Sequence, residues 1–195
     1  MGERERIGHH GNAGMTQAAS DEELMLQVRA GQAEVLGELF DRYHSPLYNF
    51  YARLTGDRGL SEDLVQEVFL RILKYRQTYA QKSSFRAWMY QIARNTRLDH
   101  LRKQRPQTEW TPEMSPAILP ADPAQQQQES ALLHRALMRL PEEKREILIL
   151  SRLQELKHDE IAHLMGCGTN TVKVRVHRAL LELKEVFHQL QTARA

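Results

Sequence analysis

The chain has 195 residues, of which 41% are hydrophobic and 27% charged, which is enough apolar content for one ordinary core or two small ones and excludes a disordered chain. Its 27 Lys and Arg residues against 25 Asp and Glu leave a net charge of +2, so any nucleic-acid function must depend on local basic clusters. The lone cysteine, Cys167, excludes an intramolecular disulfide, and residues 1–14 lack an apolar signal segment. We expect a soluble cytoplasmic protein with no membrane contact of its own.

Proline spacing divides the chain. Five of the seven prolines lie between residues 106 and 123, which excludes a helix there. We predict a flexible N-terminal tail (1–19), a first domain (20–104), a Pro-rich linker (105–124) and a second domain (125–190). Both domains show 3.6-residue periodicity and neither shows a period-2 alternation, which predicts an all-α fold of two small helical domains.

The elements of the first domain follow from its periodicity and its polar caps. The predicted helices cover 21–30, 32–55, 60–77 and 84–104. The expected N-caps are Ser20, Ser61 and Ser83 or Ser84. Pro46 is expected to kink or divide the second helix.

The second domain is read in the same way. The predicted helices cover 126–139, 142–154, 158–165 and 170–190. Pro141 is expected at the first helical position of the second of these, and Gly166 at the end of the third.

The helix over 60–77 has an apolar side and a polar side. The apolar residues are Leu64, Val65, Val68, Phe69 and Ile72. The opposite side carries Asp63, Gln66, Glu67 and Lys74, with Leu70 in its middle. Leu70 is either an ordinary exposed leucine or the anchor of a protein interface, and the pattern leaves both readings open.

A basic cluster occupies residues 82–105, where seven basic side chains stand against one acid, Asp99. Four aromatic residues lie in or beside it, namely Tyr79, Phe85, Trp88 and Tyr90. Basic groups beside aromatic rings are what single-stranded DNA binding requires. The periodicity assigns Phe85 and Trp88 to the core, on one stripe with Met89, Ile92 and Thr96. It predicts that four residues of another arc face solvent: Arg86, Tyr90, Arg94 and Arg97.

The most specific local pattern is a short helix, a glycine turn and a second helix over residues 159–184, which together predict a helix-turn-helix. The second helix is expected to bury Val172, Val176, Ala179, Leu180 and Leu183. Its opposite side carries Asn170, Val174, His177 and Arg178, flanked by Lys173 and Arg175. Four basic residues against one acid over 169–184 suit a helix that enters a major groove. The alternative is a solvated helical hairpin with an ordinary charged face.

Catalysis and metal binding find little support. His158 and His163 are five residues apart rather than four, Cys167 has no ligand partner nearby, and no glycine-rich phosphate loop is present. We expect no catalytic residue, no metal and no cofactor. Two other functions remain as alternatives, a helix-turn-helix regulator that binds duplex DNA alone and an enzyme.

Two sets of motifs carry a family resemblance. Residues 62–69 (EDLVQEVF), 84–95 (SFRAWMYQIARN) and 99–102 (DHLR) resemble region 2 of sigma-70 family initiation factors, in the small extracytoplasmic-function group. Residues 140–146 (LPEEKRE), 159–162 (DEIA) and 171–179 (TVKVRVHRA) are similar to region 4 of the same group. The resemblance runs from about Asp21 to Leu190.

The resemblance implies a transcription initiation factor that brings core RNA polymerase to promoter DNA and melts the minus-ten element. It implies binding of the beta-prime clamp helices through Asp63, Gln66, Glu67 and Leu70, and of the beta flap by the second domain. The minus-ten residues would be Tyr79, Lys82, Ser83, Arg86, Tyr90, Arg94, Asn95 and Arg97. The minus-thirty-five residues would be Asn170, Thr171, Lys173, Val174, Arg175, His177 and Arg178. The linker would run toward the polymerase active-site region, and an anti-sigma factor is the expected regulator.

Three positions depart from the family pattern. Lys157 stands where the family often has Ser or Thr, so the first helix of the helix-turn-helix is expected to start without its capping box. The turn Gly168-Thr169-Asn170 replaces one that usually contains proline. The loop Ala80-Gln81-Lys82-Ser83 does not translate into a base preference.

Overall fold

The computed structural model of the protein describes residues 19–81, 83–104 and 124–193. Within these ranges the regular structure is entirely helical, so the all-α prediction is confirmed. The predicted N-terminal tail and the Pro-rich linker lie outside the described residues, apart from one residue at the edge of each.

The described residues form eight α-helices. The N-terminal domain contains Asp21–Arg29 (α1), Leu36–Thr55 (α2), Arg58–Tyr75 (α3) and Phe85–Gln104 (α4), with 3₁₀ turns at Ala33–Val35 and Arg76–Thr78. The C-terminal domain contains Ala124–Arg139 (α5), Glu142–Leu148 (α6), His158–Met165 (α7) and Thr169–Thr192 (α8). A π-helical turn, Ile149–Leu153, follows α6, where the sequence predicts a continuous α-helix to residue 154.

Several helix ends match the polar signals in the sequence. Ser20 caps α1 in a full capping box, because its hydroxyl accepts from the Glu23 N–H and the Glu23 carboxylate accepts from the Ser20 N–H. The Ser84 hydroxyl accepts from the Ala87 N–H at 3.3 Å, which is the hydrogen bond expected of the N-cap residue of α4. Gly166 ends α7 with φ of 62°, a left-handed conformation that favours glycine.

The prediction of Ser61 as an N-cap is wrong. The N-cap of α3 is Asp57, whose Oδ1 accepts from the Leu60 N–H at 3.0 Å. Ser61 lies inside the helix, fully buried, and its hydroxyl donates to the Asp57 carbonyl. The helix therefore begins at Arg58, two residues before its predicted start.

The two prolines within the helical domains also differ from expectation. Pro46 does not divide the second helix, since α2 runs unbroken from Leu36 to Thr55. Tyr43, Leu47 and Phe50 are buried on one face of α2 on both sides of the proline, and this packing offsets the loss of its N–H. Pro141 is the N-cap of α6 rather than its first helical residue.

The core joins both domains. α2 packs against α3 and α3 against α4, while α5, α6 and α7 pack against α8. Most of the buried apolar residues form one cluster that includes Leu24 of α1, Phe50 of α2, Ile147 of α6 and Val176 of α8. A second, smaller cluster of Leu132, Ala136 and Leu190 lies between α5 and α8. The two halves of the chain are thus in direct contact. Within the described residues, no helix is long and apolar enough to cross a membrane.

Candidate nucleic-acid and polymerase interfaces

The second helix of the helix-turn-helix, α8, has the two faces that the sequence predicts. Val172, Val176 and Ala179 are buried, and Leu180 and Leu183 are half-buried. The exposed residues of the N-terminal half include all the predicted minus-thirty-five residues: Asn170, Thr171, Lys173, Val174, Arg175, His177 and Arg178. Val174 is 49% exposed, although it is apolar. On such a face the basic side chains can contact base edges in a major groove, and the apolar side chain at its centre can contact a thymine methyl group.

The turn that positions α8 is built by local hydrogen bonds. The Cys167 N–H donates to the Ala162 carbonyl at 3.0 Å across the left-handed Gly166. The expectation that α7 starts without its capping box is corrected in part, because the Glu160 carboxylate accepts from the Lys157 N–H at 2.8 Å. This half of the box does not need a Ser or Thr, since it uses only the backbone of the N-cap residue.

The α3 helix buries the five apolar residues that the periodicity assigns to it and exposes its polar side. Asp63, Gln66 and Lys74 are exposed and Glu67 is half-exposed. Leu70 is 62% exposed in the middle of this polar side. The polar side with Leu70 is therefore a free surface, with a chemistry suited to a protein partner.

Asn95 lines a cavity between α3 and α4. The cavity measures about 390 Å³ and is lined by Arg71, Tyr75, Ile92, Asn95, Leu98, Asp99 and Arg102. The Asn95 side chain is exposed, and its Oδ1 accepts from Gln91 Nε2 at 3.3 Å. An amide that can both donate and accept, beside two guanidinium groups, can recognise the edge of a base.

The loop before α4 is held by Tyr79. The Tyr79 ring is 1% exposed and packs edge-on against Trp88, with ring centroids 5.3 Å apart. Its hydroxyl donates to the Ser83 carbonyl at 2.7 Å, and burial raises the pKa of Tyr79 to about 12. Tyr79 therefore holds the loop through its buried ring and its hydroxyl, and its ring is not accessible to solvent. Lys82 lies outside the described residues.

The core assignment on α4 is confirmed, since Phe85, Met89, Ile92 and Thr96 are buried and Trp88 is half-buried. The prediction of a solvent-facing arc is wrong. Arg97 is 8% and Tyr90 1% exposed, while Arg86 and Arg94 are partly buried. We call these four residues the α4 basic face, and the C-terminal domain covers it.

Every residue of the α4 basic face has a partner in the C-terminal domain. Arg97 pairs with Glu142, and Arg94 Nε lies 3.2 Å from a Glu146 carboxylate oxygen. Tyr90 donates to the side-chain oxygen of Gln154, and Arg86 donates to its backbone carbonyl. The π-helical turn ends immediately before Gln154 and brings it to this position.

The two acids of this interface titrate in opposite directions. The hydrogen bond from Arg97 holds the pKa of Glu142 below its ordinary value. Burial raises the pKa of Glu146, although Arg94 and Arg97 oppose the shift. Glu142 is the more exposed of the two, and only Glu146 is deeply buried. Sequence reasoning missed both residues and Gln154, because no local pattern indicates contacts across 45 to 68 residues of chain.

Arg145 is a second contact between the domains. Its NH1 donates to the Leu54 carbonyl at 2.7 Å, near the C-terminal end of α2. Its NH2 donates to the Met138 and Leu140 carbonyls, at 3.2 and 3.0 Å, where α5 ends. A guanidinium that satisfies the free carbonyls of two helix ends also complements their negative dipole ends. No group of three or more His, Cys, Asp or Glu residues in the described part of the chain is arranged to hold a metal ion.

Comparison with known proteins assigns both halves. The sequence model of Sigma-70 region 2 matches residues 39–107, and that of Sigma-70, region 4 matches residues 130–183. The chain is 30% identical over 170 residues to the RNA polymerase sigma factor CarQ of Myxococcus xanthus, covering 86% of this chain and 97% of that protein. It is 33% identical over 185 residues to the ECF RNA polymerase sigma factor BldN of Streptomyces coelicolor, covering 92% of this chain and 70% of that protein.

Solved structures support the fold. CnrH, in complex with the cytosolic domain of CnrY, superposes with a TM-score of 0.68 at 21% identity and covers 87% of this chain and 97% of that chain. RpoE of Bartonella quintana, in complex with the anti-sigma factor NepR, gives 0.64 at 23% identity and covers 78% and 96%. The chain therefore belongs to the extracytoplasmic-function (ECF) group of the sigma-70 family, the RNA polymerase sigma factors that direct transcription initiation without catalytic activity of their own.

Proposed function

We propose that this sigma factor binds core RNA polymerase and the two promoter elements through three surfaces, each on a different helix. The polar side of α3 binds core RNA polymerase, α4 and the loop before it melt and hold the minus-ten element, and the exposed face of α8 reads the minus-thirty-five element. The division follows the predicted domains at 20–104 and 125–190, joined by the linker 105–124. The observation that carries the proposal is that α3 and α8 each pair a buried apolar stripe with a free polar face.

The polymerase contact uses Asp63, Gln66, Glu67 and Leu70. Their exposure supports this assignment, because a partner that covers this side of α3 would bury the apolar Leu70 side chain and leave the polar groups at the rim of the contact. The partner surface is the pair of clamp helices of the beta-prime subunit, and the C-terminal domain contacts the beta flap. Because its partner is core polymerase, the protein acts in the cytoplasm.

The minus-ten contact uses Asn95, Ser83 and Lys82 directly, with Tyr79 holding the loop in shape. A flipped base enters the cavity beside Asn95, where hydrogen bonds offset the unstacking free energy of a few kcal/mol. Once the C-terminal domain no longer covers it, the α4 basic face follows the single strand, with the guanidinium groups of Arg86, Arg94 and Arg97 on the backbone and the Tyr90 ring beside the bases.

The minus-thirty-five contact uses the exposed residues of α8, with Arg178 and Lys173 as the cationic groups and Val174 against a thymine methyl. Asn170, Thr171, Arg175 and His177 complete this face. An anti-sigma factor is the proposed regulator, supported by RpoE, which has the same fold and is described in complex with the anti-sigma factor NepR.

The polymerase contact is tested by the double variant Asp63→Lys with Leu70→Ala, labelled and titrated with core polymerase. Neither side chain is in the buried stripe, so the fold should persist. We expect at least about a tenfold loss of affinity, the effect of losing about 1.4 kcal/mol at an interface centre. Asp41→Lys, an exposed acid on α2, is the matched control and should bind as wild type does. Equal affinity of the double variant and the control would remove α3 from the interface.

A further inference from the structure

The α4 basic face has two possible occupants. In the structure it is filled by the C-terminal domain, through Glu142, Glu146 and Gln154. Under the proposed function the same guanidinium groups bind the phosphates of melted DNA. A carboxylate and a phosphate are both anions that accept hydrogen bonds from a guanidinium fork, so they compete for one binding position.

The contact is extensive enough to act as a closed state. It combines ion pairs with Arg94 and Arg97, the hydrogen bonds of Gln154, and the continuous apolar core. The fit extends to Gly56, where a Cβ atom would lie 3.0 Å from the terminal methyl of Met138 on α5. Gly56 also has φ of 76°, a conformation that favours glycine at the end of α2.

The other two surfaces stay free in this state. Leu70 and Asp63 on α3 are exposed, and so are Val174 and Arg178 on α8. Among the residues assigned to the melted strand, the α4 basic face is covered, whereas Asn95 stays exposed. The closed chain therefore presents its polymerase surface while the α4 basic face is blocked.

We propose that the C-terminal domain is an intramolecular inhibitor of single-strand binding, with Glu142, Glu146 and Gln154 occupying the positions of the DNA on Arg86, Tyr90, Arg94 and Arg97. This proposal rests on the proposed function of α4. Binding to the melted strand requires separation of the two domains, and the affinity measured for DNA is reduced by the fraction of chains that are open. Core polymerase, which can bind the exposed side of α3 first, is the partner that favours the open state.

The test uses the full chain without polymerase and a fluorescent single-stranded dT₁₂ probe. The variant Glu142→Gln with Glu146→Gln removes the two acids of the interface and leaves every proposed DNA contact in place. Its matched control is Glu143→Gln with Glu185→Gln, which removes the same charge from two exposed positions of the same domain. Small-angle X-ray scattering on the same samples reports whether the domains separate.

We expect the interface variant to have a larger radius of gyration than the control and to bind dT₁₂ about threefold more tightly, as an increase from about one open chain in ten to about one in three requires. Adding Arg94→Ala and Arg97→Ala to it should remove the gain. Gln154→Ala is a milder second variant, in case the double change disturbs folding as judged by circular dichroism. Gln154→Ala should also increase the radius of gyration and the affinity for dT₁₂, by smaller amounts.

Two results would overturn the inhibitor proposal, and they differ in what they say of the proposed function. If the interface variants stay compact and bind dT₁₂ as the control does, closure does not depend on these contacts, and the role of α4 in the holoenzyme is unaffected. If they open without gaining affinity, the α4 basic face is not the single-strand site. The minus-ten role of its arginines then fails as well, whereas polymerase binding through α3 is untouched.

Discussion

The Arg71 guanidinium on α3 donates to Asp99 on α4 at 2.7 Å, and its Nε donates to Glu67 at 2.7 Å. Glu67 belongs to the side of α3 that we assign to polymerase, while Arg71 and Asp99 line the cavity beside Asn95. The two ion pairs raise the pKa of Arg71, and the Arg71 hydrogen bond lowers the pKa of Asp99. One arginine thus joins the polymerase surface to the wall of the proposed base pocket.

Asn95 is expected to act in melting and not in polymerase binding. Asn95→Ala removes a base partner worth about 1 kcal/mol, so open complexes should fall about fivefold while affinity for core polymerase is unchanged. Permanganate reactivity of minus-ten thymines measures this. Gln91→Ala, which removes the amide hydrogen-bonded to Asn95 without reaching the cavity lining, is the control. Undiminished reactivity in Asn95→Ala would exclude it from the site.

Arg178 is expected to contact the minus-thirty-five element, either at guanine O6 and N7 or at a phosphate. In Arg178→Ala the helix content and polymerase affinity should be unchanged, because the side chain is exposed and α8 is held by its opposite face. If Arg178 contacts a base, the variant should lose about 1 to 3 kcal/mol of discrimination between bases at one promoter position. If it contacts a phosphate, the variant should bind all promoter sequences more weakly by the same factor.

Binding to a panel of single-base promoter variants separates these two modes for Arg178. Lys184→Ala serves as the matched cation control, since Lys184 is exposed on the C-terminal half of α8, beyond the predicted contact face. If Arg178→Ala binds and transcribes every variant as wild type does, neither mode operates.

Arg145 is expected to contribute to stability through the ends of α2 and α5. Arg145→Ala leaves the Leu54, Met138 and Leu140 carbonyls without this donor, and we expect a loss of about 1 to 3 kcal/mol in the free energy of unfolding. Urea unfolding followed by circular dichroism measures it. Arg139→Ala, an exposed arginine near the same helix end, should change stability by less than about 0.5 kcal/mol. Equal stability of the two variants would contradict this role.

The ion pair of Arg97 with Glu142 predicts a pH dependence of stability. Because the pKa of Glu142 is lowered in the folded protein, its stabilising effect is complete above its ordinary pKa of 4.5 and is lost as pH falls through the folded pKa. Glu146 has the opposite effect on stability: because burial raises its pKa, its ionised form is less favourable in the folded protein than in the unfolded chain. Comparing wild type with Glu142→Gln isolates the first effect.

We expect Glu142→Gln to have a lower Tm than wild type at pH 7, by an amount corresponding to less than about 1 kcal/mol because the carboxylate is half-exposed. This difference in Tm should shrink as the pH is lowered below 4.5. A difference that is constant from pH 7 to pH 3, or that grows on acidification, would contradict the assigned pKa direction.

The helices could be predicted from the sequence because their apolar stripes and caps are local. The stripe from Leu64 to Ile72 and the glycine stop at Gly166 are examples. The error at Ser61 has a local cause as well, since Gly56 followed by Asp57 is an end signal followed by a cap signal, which places the cap four residues before Ser61.

The covered side of α4 could not be predicted in this way. Periodicity says which residues share a helix side with Arg94 and Arg97, but it does not say whether water or another domain lies against that side. The partners of these arginines are 45 to 52 residues away in sequence, beyond the linker. They are ordinary charged residues of a helix start, so nothing local distinguishes them from solvated acids.

Run-off transcription with purified core polymerase on fragmented genomic DNA, with and without the full chain, tests most directly that this protein gives polymerase its promoters. We predict discrete transcripts that require the chain, with start sites that share a minus-ten and a minus-thirty-five sequence at fixed spacing. Asp63→Lys with Leu70→Ala should abolish them all, whereas Asp41→Lys should preserve them. The same transcripts from core polymerase alone, or none when the chain is bound to it, would contradict the central claim.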